Sequence, residues 1–284
     1  MFKRLSRFLA DYRGVGITSD DIAHWNDKGF LVLEGFFSAN EIDTFLRDNQ
    51  KLWENRKEEA GNITIDVLEG ELKNQRIYMR DAPDSLIGHA HKVNDLFLDV
   101  ESCRSLNLNK RLSKILTTLL DGKPLVINSL NFIKGSQQPL HFDTYFMPPP
   151  VPHKMAVSSI CLEDQTMDSG PLIYYPGSQK IEPWVFEHGG ISVGDGNLDE
   201  ATAYAVEQID RLDLQPETFV GKKGDVFIWH SQLYHGGTPI AMADRTRRTL
   251  VTHYWRSQDV APENVAYYSE GGDFMRREHP KLEA

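Results

Sequence analysis

Pro124-Leu125-Val126-Ile127-Asn128-Ser129-Leu130-Asn131-Phe132-Ile133 is followed by Lys134-Gly135-Ser136 and then by Leu140-His141-Phe142-Asp143-Thr144-Tyr145-Phe146. A run of strand length, rich in apolar residues, stops at a glycine turn and resumes as a second short run, which predicts two strands. The same texture recurs at Ala156–Leu162, Leu172–Tyr175, Val226–Trp229 and Thr249–Trp255. Between these runs stand turn signals: Met147-Pro148-Pro149-Pro150, Asp168-Ser169-Gly170-Pro171, Pro176-Gly177-Ser178 and Lys223-Gly224-Asp225. Many short strands punctuated in this way predict a β-sandwich or jelly roll.

Upstream the pattern is helical. Thr18-Ser19-Asp20-Asp21 starts one helix, and Gly29-Phe30-Leu31-Val32-Leu33 reads as a short buried strand. Ser38 with Glu41 makes a capping box ahead of Ile42, Phe45 and Leu46. Lys51 to Glu59 reads as a solvated helix face. Leu112, Ile115, Leu116 and Leu119 recur at helical spacing within 106–120, and Asp121-Gly122 closes that helix. Residues 187–219 interrupt the strand series with a loop and a helix around Asp199–Leu212. The expected class is therefore α+β, mainly β, in a single domain spanning 1–284. Helical residues 1–123 buttress a core at 124–258, interrupted by 187–219, and 259–284 form a C-terminal tail.

Composition narrows the function. A formal net charge of −10 gives no electrostatic support to nucleic-acid binding. Cys103 and Cys161 lie far apart in no ligand spacing, against a disulfide scaffold or thiolate metal site and in keeping with a reducing compartment. No apolar run reaches membrane-span length, so no stable membrane insertion is expected. The first ten residues lack the continuous apolar stretch of a signal peptide. Phe2, Leu5, Phe8 and Leu9 can share one helix face opposite Lys3, Arg4 and Arg7, a segment read as packing on its own domain, with a membrane-surface helix as the alternative. A cytoplasmic location is expected.

The chemistry centres on His141-Phe142-Asp143. On a strand, residues two apart face the same way, so an imidazole and a carboxylate can converge on one ion. His235, in Leu233-Tyr234-His235-Gly236-Gly237, follows another strand and can supply a third ligand, and the glycine pair allows a close backbone approach to a ligand. Two histidines and one carboxylate leave open positions for a bidentate cosubstrate and O2, as an iron(II) oxygenase requires. Zinc hydrolases use similar ligands, so the triad alone leaves the metal open. His-x-Asp among 10 histidines is also compatible with an ordinary hydrogen-bonded pair. His153, His230 and His253 compete as ligands: His153 is read as lying on a loop, His230 as an orienting neighbour, and His253, on the face of Arg247, as a hydrogen-bonded core residue with pocket lining as the alternative. A dicarboxylate cosubstrate needs a cation at its far end, and Arg245 and Arg247 share a strand face with Thr249 and Val251, whereas Arg248 faces away. Arg76, Tyr78 and Arg80 suit a solvated face, or contact with an anionic group.

Taken in order, these motifs resemble the phytanoyl-CoA dioxygenase-like family of iron(II)/2-oxoglutarate oxygenases over about Gly29 to Tyr254. Gly29 to Ser38 is similar to the family's opening, and Gln138-Pro139-Leu140-His141-Phe142-Asp143 to its proximal ligand motif. Asp168 to Leu172, Tyr175 to Ser178, Gly224-Asp225, His230-Ser231, Leu233, His235-Gly236 and Arg247 to Tyr254 follow its later signatures. The resemblance implies a double-stranded β-helix (jelly roll). It also implies Fe(II) with 2-oxoglutarate and O2 as cosubstrates, and a hydroxylase acting on a C–H bond of a small molecule with release of succinate and CO2. It carries His141, Asp143 and His235 over as metal ligands, Arg247 as the cosubstrate arginine with Arg245 second, and Asn131 as a further cosubstrate contact. Asp143 sets the chain apart from related halogenases, which lack that carboxylate. Gln179 and Gly237 depart from the family pattern, which often has His and Ser there. A metal- or 2-oxoglutarate-binding jelly roll without catalysis is the alternative reading, beside the zinc hydrolase.

Overall fold

Thr18 opens α1 (Ser19–Lys28) with a reciprocal box: its hydroxyl accepts from the Asp21 N–H while the Asp21 carboxylate takes the Thr18 N–H. Gly29, at φ 81°, ends the helix and turns the chain into β1 (Phe30–Leu33). Ser38 and Glu41 repeat the box ahead of α2 (Ala39–Glu54), and the charged run breaks at Asn55 into α3 (Arg56–Glu59). That run is not wholly solvated. Arg56 is buried, donating to the Trp53 and Ala82 carbonyls and pairing with Asp84. The computed structural model describes residues 17–282 apart from Asp195, Ala243 and Glu270, so the amphipathic segment around Phe2 to Leu9 lies outside the described residues.

Three strands not anticipated from sequence come next: β2 (Thr64–Val67), β3 (Arg76–Tyr78) and β4 (His91–Asn94). At three or four residues each, their alternation is too short to stand out. The helix expected over 106–120 is two: α4 (Glu101–Asn107) and α5 (Lys110–Leu120). Asn109 splits them by capping α5, and Asp121 stops it in the left-handed conformation.

The strand series follows as β5 (Pro124–Phe132), β6 (Ala156–Cys161) and β7 (Leu172–Tyr174), then α6 (Asp199–Arg211) and β8 (Glu217–Phe219). It closes with β9 (Val226–His230), β10 (His235–Gly237), β11 (Thr249–Arg256), β12 (Val265–Ser269) and β13 (Gly272–Met275). The larger sheet runs β1-β9-β6-β11-β5-β4-β2-β3, with β13 joining β5 and β12 joining β13; the smaller is β10-β7-β8. All pairings but β13 with β5 are antiparallel. The architecture is α+β, mainly β, a jelly roll braced by N-terminal helices.

Period-two alternation divides the large sheet cleanly. Ala156, Ile160, Val226, Ile228 and Leu250 face the helices, against Ile42, Phe45, Leu112 and Leu116. Val157, Cys161, Phe227 and Trp229 face inward toward Leu172, Tyr174 and Phe219 of the small sheet. A separate cluster joins Ala201, Ala205 and Ile209 of α6 to Phe142, Tyr145 and Tyr234. Each fully buried Leu or Phe in these clusters contributes roughly 1.5–3 kcal/mol, so the chain is held chiefly by these two sheet faces.

Leu140–Phe146, expected as a strand, is not one. His141 makes a single antiparallel bridge with His235, and Asp143–Tyr145 closes into one 3-10 turn whose Asp143 carbonyl accepts from the Phe146 and Met147 N–H groups. Tyr145 and Phe142 pack under α6 and hold that turn. Nor do 259–284 merely trail: β12 and β13 form a hairpin that extends the sheet.

Candidate metal centre

The bridge between His141 and His235 brings two imidazoles together from segments far apart in sequence, with ring centroids 4.5 Å apart. Glycine is needed on the His235 strand because Gly236 lies against the segment leading to His141: a Cβ there would sit 2.9 Å from the Gln138 carbonyl oxygen. The glycine pair therefore seats the His141 segment, where a close approach to a ligand had been expected. Asp143, on its 3-10 turn, completes the group. Its Oδ1 lies 3.5 Å from His141 Nε2 and its Oδ2 3.7 Å from His235 Nε2. The three ligand atoms fall within 4.8 Å of one another, a spacing that suits one metal ion.

Hydrogen bonding selects the right nitrogens. His141 Nδ1 lies 2.7 Å from the Pro139 carbonyl and His235 Nδ1 2.9 Å from the Leu233 carbonyl. A carbonyl only accepts, so both Nδ1 atoms carry hydrogen and both Nε2 lone pairs face Asp143. Trp229 Nε1–H donates to Asp143 Oδ2 at 2.8 Å and orients the carboxylate. His253 Nε2 lies 3.6 Å from Asp143 Oδ1.

Burial opposes charge throughout. It works to raise the Asp143 carboxyl, but His235, His141 and His253 around it hold it well below the usual carboxylate range. Burial likewise lowers His235 to about 4, against the pull of Asp143. Burial acts downward on His141 too, but there contact with Asp143 prevails and the imidazole is raised. The result is an anionic ligand and two imidazoles of unequal proton affinity, a donor set that a divalent cation would complete.

Next to the triad lies a cavity lined by Leu130, Phe132, Ser159, Leu172, Thr249 and Val251, with Arg247 in its wall. Arg247 is buried, and burial lowers its guanidinium to about 10. It has no ion pair among the described residues, and its Nε lacks a hydrogen-bond partner. Gly135 makes room for it: a Cβ there would lie 2.9 Å from Arg247 Nε. Arg245 is exposed, and Arg248 turns away to Glu163.

Asn131 is not brought to this cavity. It pairs with Leu250 and Val93, both in the helix-side core, so its amide points away from His141, Asp143 and His235. One step along a strand reverses the face, and Leu130 and Phe132 hold the inner positions. His230 and His153 pair with each other at 5.7 Å outside the cavity lining, and Trp25 lies 6.0 Å from His230. His253 is both buried, as the core reading expected, and part of the cavity lining, as its alternative allowed. Trp229 was missed altogether. Its only sequence signal is that it shares the inward face of β9 with Phe227.

The profile of the phytanoyl-CoA dioxygenase family matches residues 25–249. The chain belongs to the phytanoyl-CoA dioxygenase family. It is accordingly an iron- and 2-oxoglutarate-dependent dioxygenase. It is similar to phytanoyl-CoA dioxygenase domain-containing protein 1 of Danio rerio, at 24% identity over 87% of this chain and 94% of that protein. Another relative is a probable alpha-ketoglutarate-dependent hypophosphite dioxygenase of Stutzerimonas stutzeri, 26% identical over 79% of this chain and 74% of that one. The solved structure of the non-heme alpha ketoglutarate dependent carbocyclase SnoK, from nogalamycin biosynthesis, superposes with a TM-score of 0.66 over 87% of each chain. At 16% identity, that likeness shows the jelly-roll fold. The cofactors of a phytanoyl-CoA dioxygenase family member suit this cavity: three convergent donors for the metal, and a buried uncompensated guanidinium for an anionic cosubstrate.

Proposed function

We propose that His141, Asp143 and His235 hold the iron, that Arg247 takes the far carboxylate of 2-oxoglutarate, and that the enzyme hydroxylates a C–H bond of a small organic substrate, releasing succinate and CO2. Iron with 2-oxoglutarate and O2 supplies the oxidising power for that reaction. The observation that carries this assignment is Arg247, a buried cation without an acidic partner among the described residues, in one cavity with the triad.

The chain's own residues perform the binding and positioning. Backbone carbonyls at Pro139 and Leu233 keep both histidines in the tautomer that ligates through Nε2. Trp229 holds one Asp143 oxygen and so limits rotation of the carboxylate. Leu130, Phe132, Leu172 and Val251 give the cavity apolar walls, which exclude water around a charge-assisted contact at Arg247 and strengthen it. The catalytic core is taken as 124–258, interrupted by 187–219, within one domain.

Anaerobic titration of iron(II) and 2-oxoglutarate, followed by visible absorption, together with succinate assays, tests the assignment. His141→Ala, Asp143→Ala and His235→Ala should each lose most iron affinity and all succinate formation while keeping the fold. Full metal content and turnover in His235→Ala would overturn it.

A further inference from the structure

We propose that Lys92, backed by Arg76, anchors a carboxylate or phosphate of the substrate, so that the enzyme acts on small organic anions whose apolar part carries the reacting C–H bond. This rests on the iron and 2-oxoglutarate assignment above.

The register places these residues. Thr249 and Phe132, which line the metal cavity, are paired across β11 and β5. Phe132 is paired in turn with Lys92 on β4, Lys92 with Asp66 on β2, and Asp66 with Arg76 on β3. Directly paired residues share a sheet face, about 5 Å apart. The row Thr249, Phe132, Lys92, Asp66, Arg76 therefore runs outward from the metal cavity along the inner face, and Lys92 is one strand spacing beyond the cavity wall. The intervening residues verify the face, because Val93 and Ile65 point into the helix-side core.

Charge along this row is unbalanced. Arg76 engages both oxygens of Asp66, through Nε and through Nη2, the latter at 2.8 Å. Lys92 Nζ shares the same carboxylate at 3.2 Å. Two cations on one carboxylate leave a net positive charge, in a chain whose total is −10. Glu69 is taken by Lys134 at 3.1 Å, and Asp95, whose charge reaches Arg76, is taken by Arg277 at 2.6 Å, so neither carboxylate cancels it. A cross-strand ion pair between Asp66 and Arg76 would brace β2 against β3 unaided, so the Lys92 ammonium is surplus to that role. Its side chain is only 17% exposed, and a desolvated, under-matched ammonium favours an anion.

An exposed apolar side chain stands beside the triad. Phe146, 46% exposed, meets the His141 ring edge-on at 5.5 Å.

The test uses the enzyme loaded with iron(II) and saturated with 2-oxoglutarate, whose visible band reports the earlier assignment separately. Aliphatic and aromatic carboxylates and phosphate monoesters are compared with their neutral amides and alcohols, for thermal stabilisation under nitrogen and for succinate formation in air. At least one anion class should surpass its neutral partners tenfold or more, and which class does so separates carboxylate from phosphate recognition. Lys92→Met and Lys92→Gln should weaken that anion's half-saturation at least tenfold with the iron–2-oxoglutarate band intact, and Lys92→Arg should restore most of it. The proposal is overturned if neutral partners match every anion, or if both neutralising variants bind the anions as wild type does. Absence of the band in wild type would instead refute the cofactor assignment.

Discussion

Arg247 concentrates the energetics of the site in one side chain. Burial lowers it to about 10, against an ordinary 12.5, a difference of about 3 kcal/mol spent on holding a desolvated charge. An anion beside it offsets that cost. Arg247→Met should therefore weaken 2-oxoglutarate by about 2 kcal/mol or more, as calorimetry would read. The same variant, freed of the buried charge, should melt at a higher temperature than wild type when both are unliganded. Metal affinity should stay near wild type, since Arg247 makes no contact with the triad. If Arg245→Met, on an exposed neighbour, produced the larger loss of affinity, the arginine assignment would fail. Both arginines stand on one expected strand face in the sequence, and only burial separates them.

Among the elements, the 3-10 turn Asp143–Tyr145 couples the metal site to the segment ahead of α6. The Val193 N–H donates to the Tyr145 carbonyl at 2.8 Å, the Trp184 N–H to the Tyr145 hydroxyl at 3.1 Å, and Phe186 meets the Tyr145 ring edge-on at 5.6 Å. Ordering Asp143 on a metal should therefore tighten this segment. Proteolytic cleavage between 187 and 198 should slow several-fold when iron and 2-oxoglutarate are bound. Identical cleavage rates with and without them would show that the turn and the segment are uncoupled. The helix that follows, α6, was legible in the sequence around Asp199–Leu212, and it places Ala201, Ala205 and Ile209 on one face. The turn was not legible: Leu140–Phe146 carries strand-like residues, and packing of Phe142 and Tyr145 under α6 overrode that propensity.

For the molecule as a whole, buried histidines set the acid limit. Burial, and then the nearby His153, lower His230 to about 4. An unfolded chain takes that proton near pH 6.5, so the folded state is favoured fully above 6.5 and loses ground as pH falls toward 4. The single-site loss is about 3 kcal/mol over that window. His230→Gln should flatten the stability curve between pH 6.5 and 4 by about one proton, as denaturant titrations at stepped pH would show. An unchanged slope would mean that His230 is protonated in the fold. Because His230 lies outside the cavity lining, iron binding at pH 7 should be unaffected.

Local order alone determined the capping boxes at Thr18 and Ser38, most of the strand series from Pro124, and the pairing of His141 with Asp143, because each is written in residues next to one another or in a fixed period; His235 and the choice of Arg247 over Arg245 came from the order of motifs that the family resemblance rests on. Tertiary structure decided the rest. It joined His141 to His235 through one bridge, hid Arg247 behind Gly135, turned Asn131 to the helix side, and drew Trp229 onto Asp143. It also carried Lys92 and Arg76 onto the row that leads from the metal cavity. None of these follows from neighbours in sequence, since each depends on strand register, and a shift of one residue would reverse every face. Register is settled by which faces can be buried together, and that is a property of the assembled sheets.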